Sequence, residues 1–452
     1  MAQNKLSEEQ KKNINCACIE PFSPILSPLI KESLIEAGKE KFRAGTLLIP
    51  VFVVWLVLAI TIRHDLNYYK VMEWMIAAYR WKTMNLPAVL LSEGAISYAR
   101  MRIGVEVFRI LFFKLTLIFR KIPSDFHGYV TVMFDGVVLN MPDTEENTKE
   151  FGKHKTSRGS SGFPMMRVVT LMAAVTRVHL DVAFASYRGK GTGERSLVED
   201  ILQRFSFDNA LFLLDAGFFS FKLLNMLNKH NYIMKISKSI ALRPIKDCIY
   251  PDGSYLAQYK GIRVRVIEVH IKGFRPFRLI TSLLDISINA LEIVKHYHRR
   301  WDIEISYDEI KTHQCATLRG KVPTILRSKK SELVKQELYA LLISYNMTRW
   351  LMFQSAETHG VNALQLSFLD CLQWIIDAVD KVKGHKYLSK LIAEALIDRP
   401  RRKRVNPRVI KVKMSKFKRK RKGDKGENID YEKYTQIIPP GGSLILAEEK
   451  AA

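Results

Sequence analysis

GYVTVMFDGVVL, residues 128–139, is a short apolar run rich in β-branched side chains, with Asp135 at its end and a glycine behind it. A run of this kind reads as a buried strand. Two more strands are expected in MMRVVTLMAAV and HLDVAFASYR, joined as a hairpin through Thr176 and Arg177. ERSLVEDILQRF then reads as a helix. ALFLLDAGFFS, residues 210–220, repeats the opening theme: an apolar strand ending in Asp215 before a glycine. FKLLNMLNKH reads as a helix and YIMKIS as a strand.

That order of strand, strand, strand, helix, strand, helix, strand predicts an α/β sheet of RNase H-like type. Working outward, residues 239–285 read as a β-rich stretch, with turns at Pro251-Asp252-Gly253 and at Gly273. Residues 286–315 read as one long helix, and 325–395 as further helices. Upstream, residues 46–120 carry helical periodicity broken near Met84-Asn85-Leu86-Pro87. Ser92 and Glu93 open a helix there that Gly104 interrupts. The run TLLIPVFVVWLVLAITI, residues 46–62, is almost wholly apolar. A membrane helix wants about 20 such residues. This one is shorter and contains Pro50, so a helix buried in a helical domain is expected, not a membrane anchor.

The chain has 452 residues, enough for several domains. Lys plus Arg number 71 against 45 acids, a net charge of +26. Between Arg399 and Lys422 lie 14 of these cations and no acid, leaving +12 for the rest. An excess of this kind calls for a polyanion, and a clustered run gains most by displacing counterions from a phosphate backbone. Cys16 and Cys18 form a CxC with no second pair nearby, which argues against a structural zinc. Five scattered cysteines and no signal peptide fit a reducing cytoplasm.

A carboxylate at the end of a sheet strand faces the crevice where α/β sheets place ligands, and two on neighbouring strands can share a hard cation. Turns also use Asp-Gly for backbone reasons, so Asp135 and Asp215 alone decide little. YHRRWDIEISYDEIK, residues 297–311, adds a third element. At about 100° per residue, Tyr297, Arg300, Glu304 and Lys311 fall on one helix face about 60° wide. These four make a poor core seam but a sensible wall for binding metal and phosphate. An exposed face laced by pairs such as Arg300 with Glu304 fits the residues as well.

The spacing Tyr-x2-Arg-x3-Glu-x6-Lys at Tyr297, Arg300, Glu304 and Lys311 resembles the YREK signature of the insertion-sequence-4 family of bacterial DDE transposases. FDGVVLNMPDTEENTKEFG around Asp135 and LFLLDAGFFSFKLL around Asp215 look like that family's two aspartate blocks. LRSKKSELVKQELYALLISYNMTRWLM resembles the helix after its glutamate, and NPRVIKVKMSKFKRK its basic C-terminal segment. LIPVFVVWLVLAITIRHDLNYYKVMEWM and AISYARMRIGVEVFRILF look like its N-terminal region.

The resemblance implies an organisation and a mechanism. Residues 1–125 would be a helical DNA-end-binding domain and 126–238 with 286–325 the catalytic core. Residues 239–285 would be a β insertion, 326–398 a helical region and 399–452 a basic tail. Asp135, Asp215 and Glu304 would be catalytic and hold two Mg²⁺ ions, with Mn²⁺ as a substitute. Tyr297, Arg300 and Lys311 would grip DNA phosphates. The implied reaction is metal-dependent cleavage at terminal inverted repeats and strand transfer into target double-stranded DNA, by a homodimer in the cytoplasm at the nucleoid. The competing reading is an inactive or domesticated DNA-binding copy.

The resemblance implies a base flipped onto an aromatic ring, which in the best-known relative is a Trp of the insertion. Here all six Trp lie outside 239–285, leaving Phe274, Phe277 or Tyr259 as stacking candidates. Asp302 falls about 200° from Glu304 on the same helix and reads, with Glu194, as structural. The run KHKTSRGSSG around His154 reads as a loop, either touching DNA or plain.

Overall fold

The computed structural model describes residues 17–41, 48–83, 92–156, 159–271, 276–315, 324–381, 385–395 and 435–440. The basic tail expected over 399–452 lies outside these except for its residues 435–440, as do Phe274, Cys16 and the break at Met84–Pro87.

Among the described residues a 3-10 turn (Glu20–Phe22) comes first, followed by the α-helices α1 (Ser23–Glu36), α2 (Pro50–Ile62), α3 (Tyr68–Thr83), α4 (Glu93–Ile103) and α5 (Glu106–Phe119). Then follow β1 (Val130–Asn140), α6 (Glu145–Phe151), β2 (Lys153–Thr156), β3 (Gly159–Ala173), β4 (His179–Ser186) and α7 (Glu194–Arg204). Next come β5 (Ala210–Leu214), α8 (Phe221–Leu227), β6 (Asn231–Ile236), β7 (Arg243–Ile249), β8 (Tyr255–Tyr259), β9 (Ile262–Ile271) and β10 (Phe277–Thr281). The described chain closes with α9 (Ala290–Tyr297), α10 (Asp302–Asp308), α11 (Ser331–His359), α12 (Phe368–Lys381), α13 (His385–Glu394) and β11 (Thr435–Ile438).

The chain divides into two compact units. The first holds residues 1–123, 134–206 and 302–396; the second holds 124–133, 207–301 and 397–452. β1 crosses from one to the other, with its residues through Met133 in the second unit.

In the first unit, α2 is buried on every side, as a helix apolar all round must be. Pro50 occupies its first turn, where no backbone donor is lost and φ is already helical. Its one hydroxyl is satisfied: Thr61 Oγ1 lies 2.8 Å from Ser344 Oγ of the equally buried α11. No helix among the described residues is long and apolar enough to cross a membrane. β3 pairs antiparallel with β2 and β4 and neighbours β1. The turn between β3 and β4 holds Arg177 at φ 60. KHKTSRGSSG, read as a loop, instead supplies β2 and the start of β3, so its backbone donors are used in a ladder.

In the second unit the strand order is β1, β5, β6, β10, β9, β8, β7, with β11 added to β9. β1, β5 and β6 run parallel, and α8 lies between β5 and β6 in sequence as the crossover helix. The remaining pairs are antiparallel. The turn between β8 and β9 has Lys260 at φ 47 and Gly261 at φ 90, the two left-handed residues that a tight hairpin turn needs. A mixed α/β core of this strand order with helical flanks fits the RNase H-like type.

The long helix expected over 286–315 is not continuous. α9 ends at Tyr297, His298–Trp301 form a 3-10 turn, α10 follows, and Glu309–Gln314 form a π segment. Three residues per turn in one piece and wider turns in another remove the constant 100° step. The single 60° face therefore does not survive: Tyr297 and Arg300 are buried, Lys311 is half-buried and Glu304 is exposed.

Candidate active site

Asp135 stands in the middle of β1, not at its end, and is half-buried. Its Oδ1 accepts from the Gly136 amide at 2.8 Å. Its backbone carbonyl accepts from the Tyr307 hydroxyl at 2.8 Å. Tyr307 sits on α10, three residues after Glu304, so one helix both carries the glutamate and fixes the strand of the first aspartate.

The proton on that tyrosine is directed by a buried relay. Tyr307 donates to Asp135, so the Thr170 hydroxyl, 2.7 Å away, must donate to Tyr307. Thr170 has no second proton and takes one from His179 Nδ1 at 2.9 Å. His179 is thus neutral with its proton on Nδ1. Burial first, and then the Arg349 charge, holds its pKa down at about 3. Its backbone is clamped by Asn346, which accepts from the His179 amide and donates to its carbonyl, both at 2.8 Å. Sequence inspection misses this relay because its members lie far apart in the chain and none stands in a recognisable spacing.

Lys311, in the π segment, has its pKa lowered by burial, against the opposing pull of Asp135 and Asp308. The lysine therefore lies within electrostatic reach of the first aspartate. The π segment is anchored from behind by Glu309, which takes Arg349 Nε at 3.0 Å, Arg177 Nη1 at 3.3 Å and the Tyr345 hydroxyl at 2.8 Å. Asp302 joins this cluster through Arg177 Nη2 at 2.9 Å, in keeping with a structural role.

In the second unit, Asp215 directly follows β5 and its carbonyl opens a 3-10 turn by accepting from Phe218. Tyr297 donates to the carbonyl of Leu214, the residue before it, at 3.1 Å. The Tyr297 phenol is pushed up chiefly by burial, opposed by Arg300 and reinforced by Asp215. Arg300 is buried, with its guanidinium 4.4 Å from the centre of the Trp301 ring. The structure thus brings Tyr297 and Arg300 to the Asp215 end of β5.

The parallel register of β1 and β5 ends at Met133 paired with Leu213. Asp135 and Asp215 each come two residues later.

In the same unit, the ring of Tyr259 lies 5.5 Å from Phe219 and 6.3 Å from Phe221. Lys260 Nζ stands 4.8 Å above Phe221. Phe277 is covered by Lys235 Nζ at 5.3 Å.

Among the described residues no three His, Cys, Asp or Glu side chains are grouped closely enough to hold a metal by themselves. Oxygen-only donors suit a hard divalent ion, which commonly takes one or two carboxylates and completes its shell with substrate phosphate and water. The Cys315 and Cys371 thiols are buried and pushed up by burial, Cys371 to about 12, so neither offers a thiolate.

Asp135 within β1 of the first unit has Lys311 in electrostatic reach, and Asp215 after β5 of the second has Tyr297 and Arg300 beside it, so each unit sets a hard oxygen donor near a cation. Residues 126–347 match the family model "Transposase DDE domain" and residues 23–113 match "Insertion element 4 transposase N-terminal". The chain is 28% identical over 362 residues to "Transposase InsG for insertion sequence element IS4" of Escherichia coli K12, covering 74% of this chain and 79% of that one. It is 29% identical over 165 residues to the "Putative transposase InsZ" of the same organism, covering 35% of this chain and 54% of that one. Among solved structures, a piggyBac transposase synaptic complex with hairpin DNA matches at TM-score 0.45 and 11% identity, over 88% of this chain and 89% of that one, too slight a likeness to build on. The chain belongs to the insertion-sequence-4 family of DDE transposases and is a DNA transposase. Chemistry in this family depends on divalent metal.

Proposed function

We propose that Asp135, Asp215 and Glu304 are the catalytic carboxylates and hold two Mg²⁺ ions, with Mn²⁺ able to replace them. Bound there, the ions supply nucleophile activation and leaving-group stabilisation for in-line displacement at DNA phosphorus. The chain's own residues set the stage. Tyr307 and Tyr297 each donate to a backbone carbonyl at or beside an aspartate, which holds the main chain that carries each carboxylate. The single Tyr297 proton is committed in this way, so the phosphate grip expected of Tyr297, Arg300 and Lys311 falls mainly to Arg300 and Lys311. The observation that carries this reading is the hydrogen bond from Tyr307, on the helix that bears Glu304, to the Asp135 carbonyl.

The substrates are the element's own terminal inverted repeats and a target duplex, acted on by a homodimer in the cytoplasm. Residues 239–285 serve as the β insertion of the core, and the cations of 399–422 track the phosphate backbone. Tyr259, Phe277 or Phe274 is the stacking surface for a flipped base. The decisive test is cleavage of labelled DNA carrying the terminal repeat, with Mg²⁺ or chelator, for wild type and Glu304→Ala. Metal-dependent nicking at the repeat boundary, lost in the variant, is expected. Binding without cleavage in either metal sinks the reading and favours an inactive DNA-binding copy.

A further inference from the structure

Three helix starts line one pocket of the first unit, a cavity of about 470 Å³. Asn67 and Tyr68 face it from the start of α3, Glu93 and Gly94 from the start of α4, and Lys329 and Lys330 from just ahead of α11. Helix starts carry partial positive charge on their amides and favour anions. Side chains take one amide at each start: Asn67 Oδ1 accepts from Lys70 at 2.8 Å, Ser92 Oγ from Ala95 at 3.3 Å, and Glu146 Oε1 from Ser331 at 2.8 Å.

A buried arginine sets this pocket apart. Arg100 also lines it and is wholly buried. Its Nε donates to Gln336 Oε1 at 2.9 Å, and its Nη2 to Ser328 Oγ at 3.1 Å and to the Leu333 carbonyl at 3.2 Å. All three partners are neutral, and among the described residues Nη1 has no partner at all. The buried Glu337 is engaged elsewhere: it accepts from the amides of Arg327 and Ser328 and from Ser328 Oγ, with Arg327 Nε 3.9 Å away. A buried charge normally has an opposite charge beside it, because its desolvation is otherwise uncompensated. The Tyr68 ring, centred 5.3 Å from the guanidinium carbons of both Arg100 and Arg327, attracts these cations without neutralising them. Lys329 and Lys330 add two exposed cations, and the exposed Glu93 is the one acid among the lining residues.

We propose that this pocket binds a phosphate group, with Arg100 Nη1 as the inner donor and Lys329 and Lys330 as the outer cations. A guanidinium N–H and two ammonium groups make short, charge-assisted hydrogen bonds to phosphate oxygens. A DNA backbone and a free phosphate compound both present this group. The site uses none of the carboxylates assigned to catalysis, so it stands or falls separately from the metal chemistry.

The test has two arms, both on the purified full chain. One is calorimetric titration with inorganic phosphate against chloride at matched ionic strength. The other is the salt dependence of binding to terminal-repeat DNA. Arg100→Lys keeps the charge and removes the Nη1 donor. The pair Lys329→Gln with Lys330→Gln leaves the buried network untouched and keeps the test open if the Arg100 variant misfolds, which circular dichroism reports. Lys31→Gln with Lys149→Gln is an exposed control pair in the same unit. Arg100→Lys and the Lys329/Lys330 pair should each weaken phosphate binding about 10- to 100-fold, the size of a hydrogen bond to a charged group. If the phosphate comes from DNA, the Lys329/Lys330 pair also lowers the slope of log affinity against log salt by about two. An unchanged slope with weakened phosphate binding assigns the site to a free phosphate compound. If wild type takes up no inorganic phosphate, only a slope loss absent from the control keeps the site. Wild-type phosphate affinity and slope in the Lys329/Lys330 pair, or an equal change in the control pair, overturns the proposal.

Discussion

Replacing Glu309 by glutamine tests how the segment carrying Lys311 is held. Glu309 is 7% exposed, and its two oxygens serve Arg349, Arg177 and the Tyr345 hydroxyl. Arg349 is buried, and its guanidinium is raised by Glu309 against the cost of burial. Glutamine keeps the volume and removes the charge, leaving Arg349 buried without an anion. Breaking such a pair from one side costs about 3–5 kcal/mol. Arg177 keeps Asp302 at 2.9 Å, so the loss should sit at the low end of that range. Asp302→Asn should cost clearly less, because Arg177 still has Glu309 and Asp302 is 18% exposed. Equilibrium urea unfolding, followed by the fluorescence of buried Trp55 and Trp350, measures both. The double variant Glu309→Leu with Arg349→Met removes both charges and should recover most of the loss. A loss below about 1 kcal/mol for Glu309→Gln, the size of an exposed pair, would refute the claim that this cluster is dry.

Other expectations concern the site and the core. Tyr307→Phe and Thr170→Val each cut the relay to the Asp135 carbonyl and remove about 1 kcal/mol of hydrogen bonding. Both should slow DNA cleavage several-fold while leaving DNA affinity near wild type, and equal rates would remove the relay from the mechanism. His64, His179 and His296 are held down by burial to about 4, 3 and 4 from an ordinary 6.5. The unfolded chain thus binds more protons between those values, so stability should be full above pH 6.5 and fall as the pH drops toward 4. Unfolding midpoints in a pH series check this, and a flat profile from 7 to 4.5 contradicts it. Trp55→Ala in α2 should cost about 3–5 kcal/mol, since the helix is enclosed by protein. Partition of wild type into detergent, with little change in unfolding for the variant, would contradict the buried placement.

The sequence by itself determined the strands around the two aspartates, the buried helix, expected over 46–62 and found over Pro50–Ile62, and the four-residue spacing at 297–311. Each depends on local periodicity, which neighbouring residues carry whatever else the chain does. Tertiary structure decided the rest. It broke the expected long helix into α, 3-10 and π pieces, and Arg349, Arg177 and Tyr345 hold Glu309 of the π piece. It gave the Tyr297 hydroxyl a partner on β5, the Leu214 carbonyl at 3.1 Å. The Asp-Gly of β1, which reads like a turn, became a close approach between strand and helix once Glu194 was brought to Gly136. None of these partners is near in sequence, and a hydrogen bond or a steric exclusion between distant residues leaves no periodic trace in the chain.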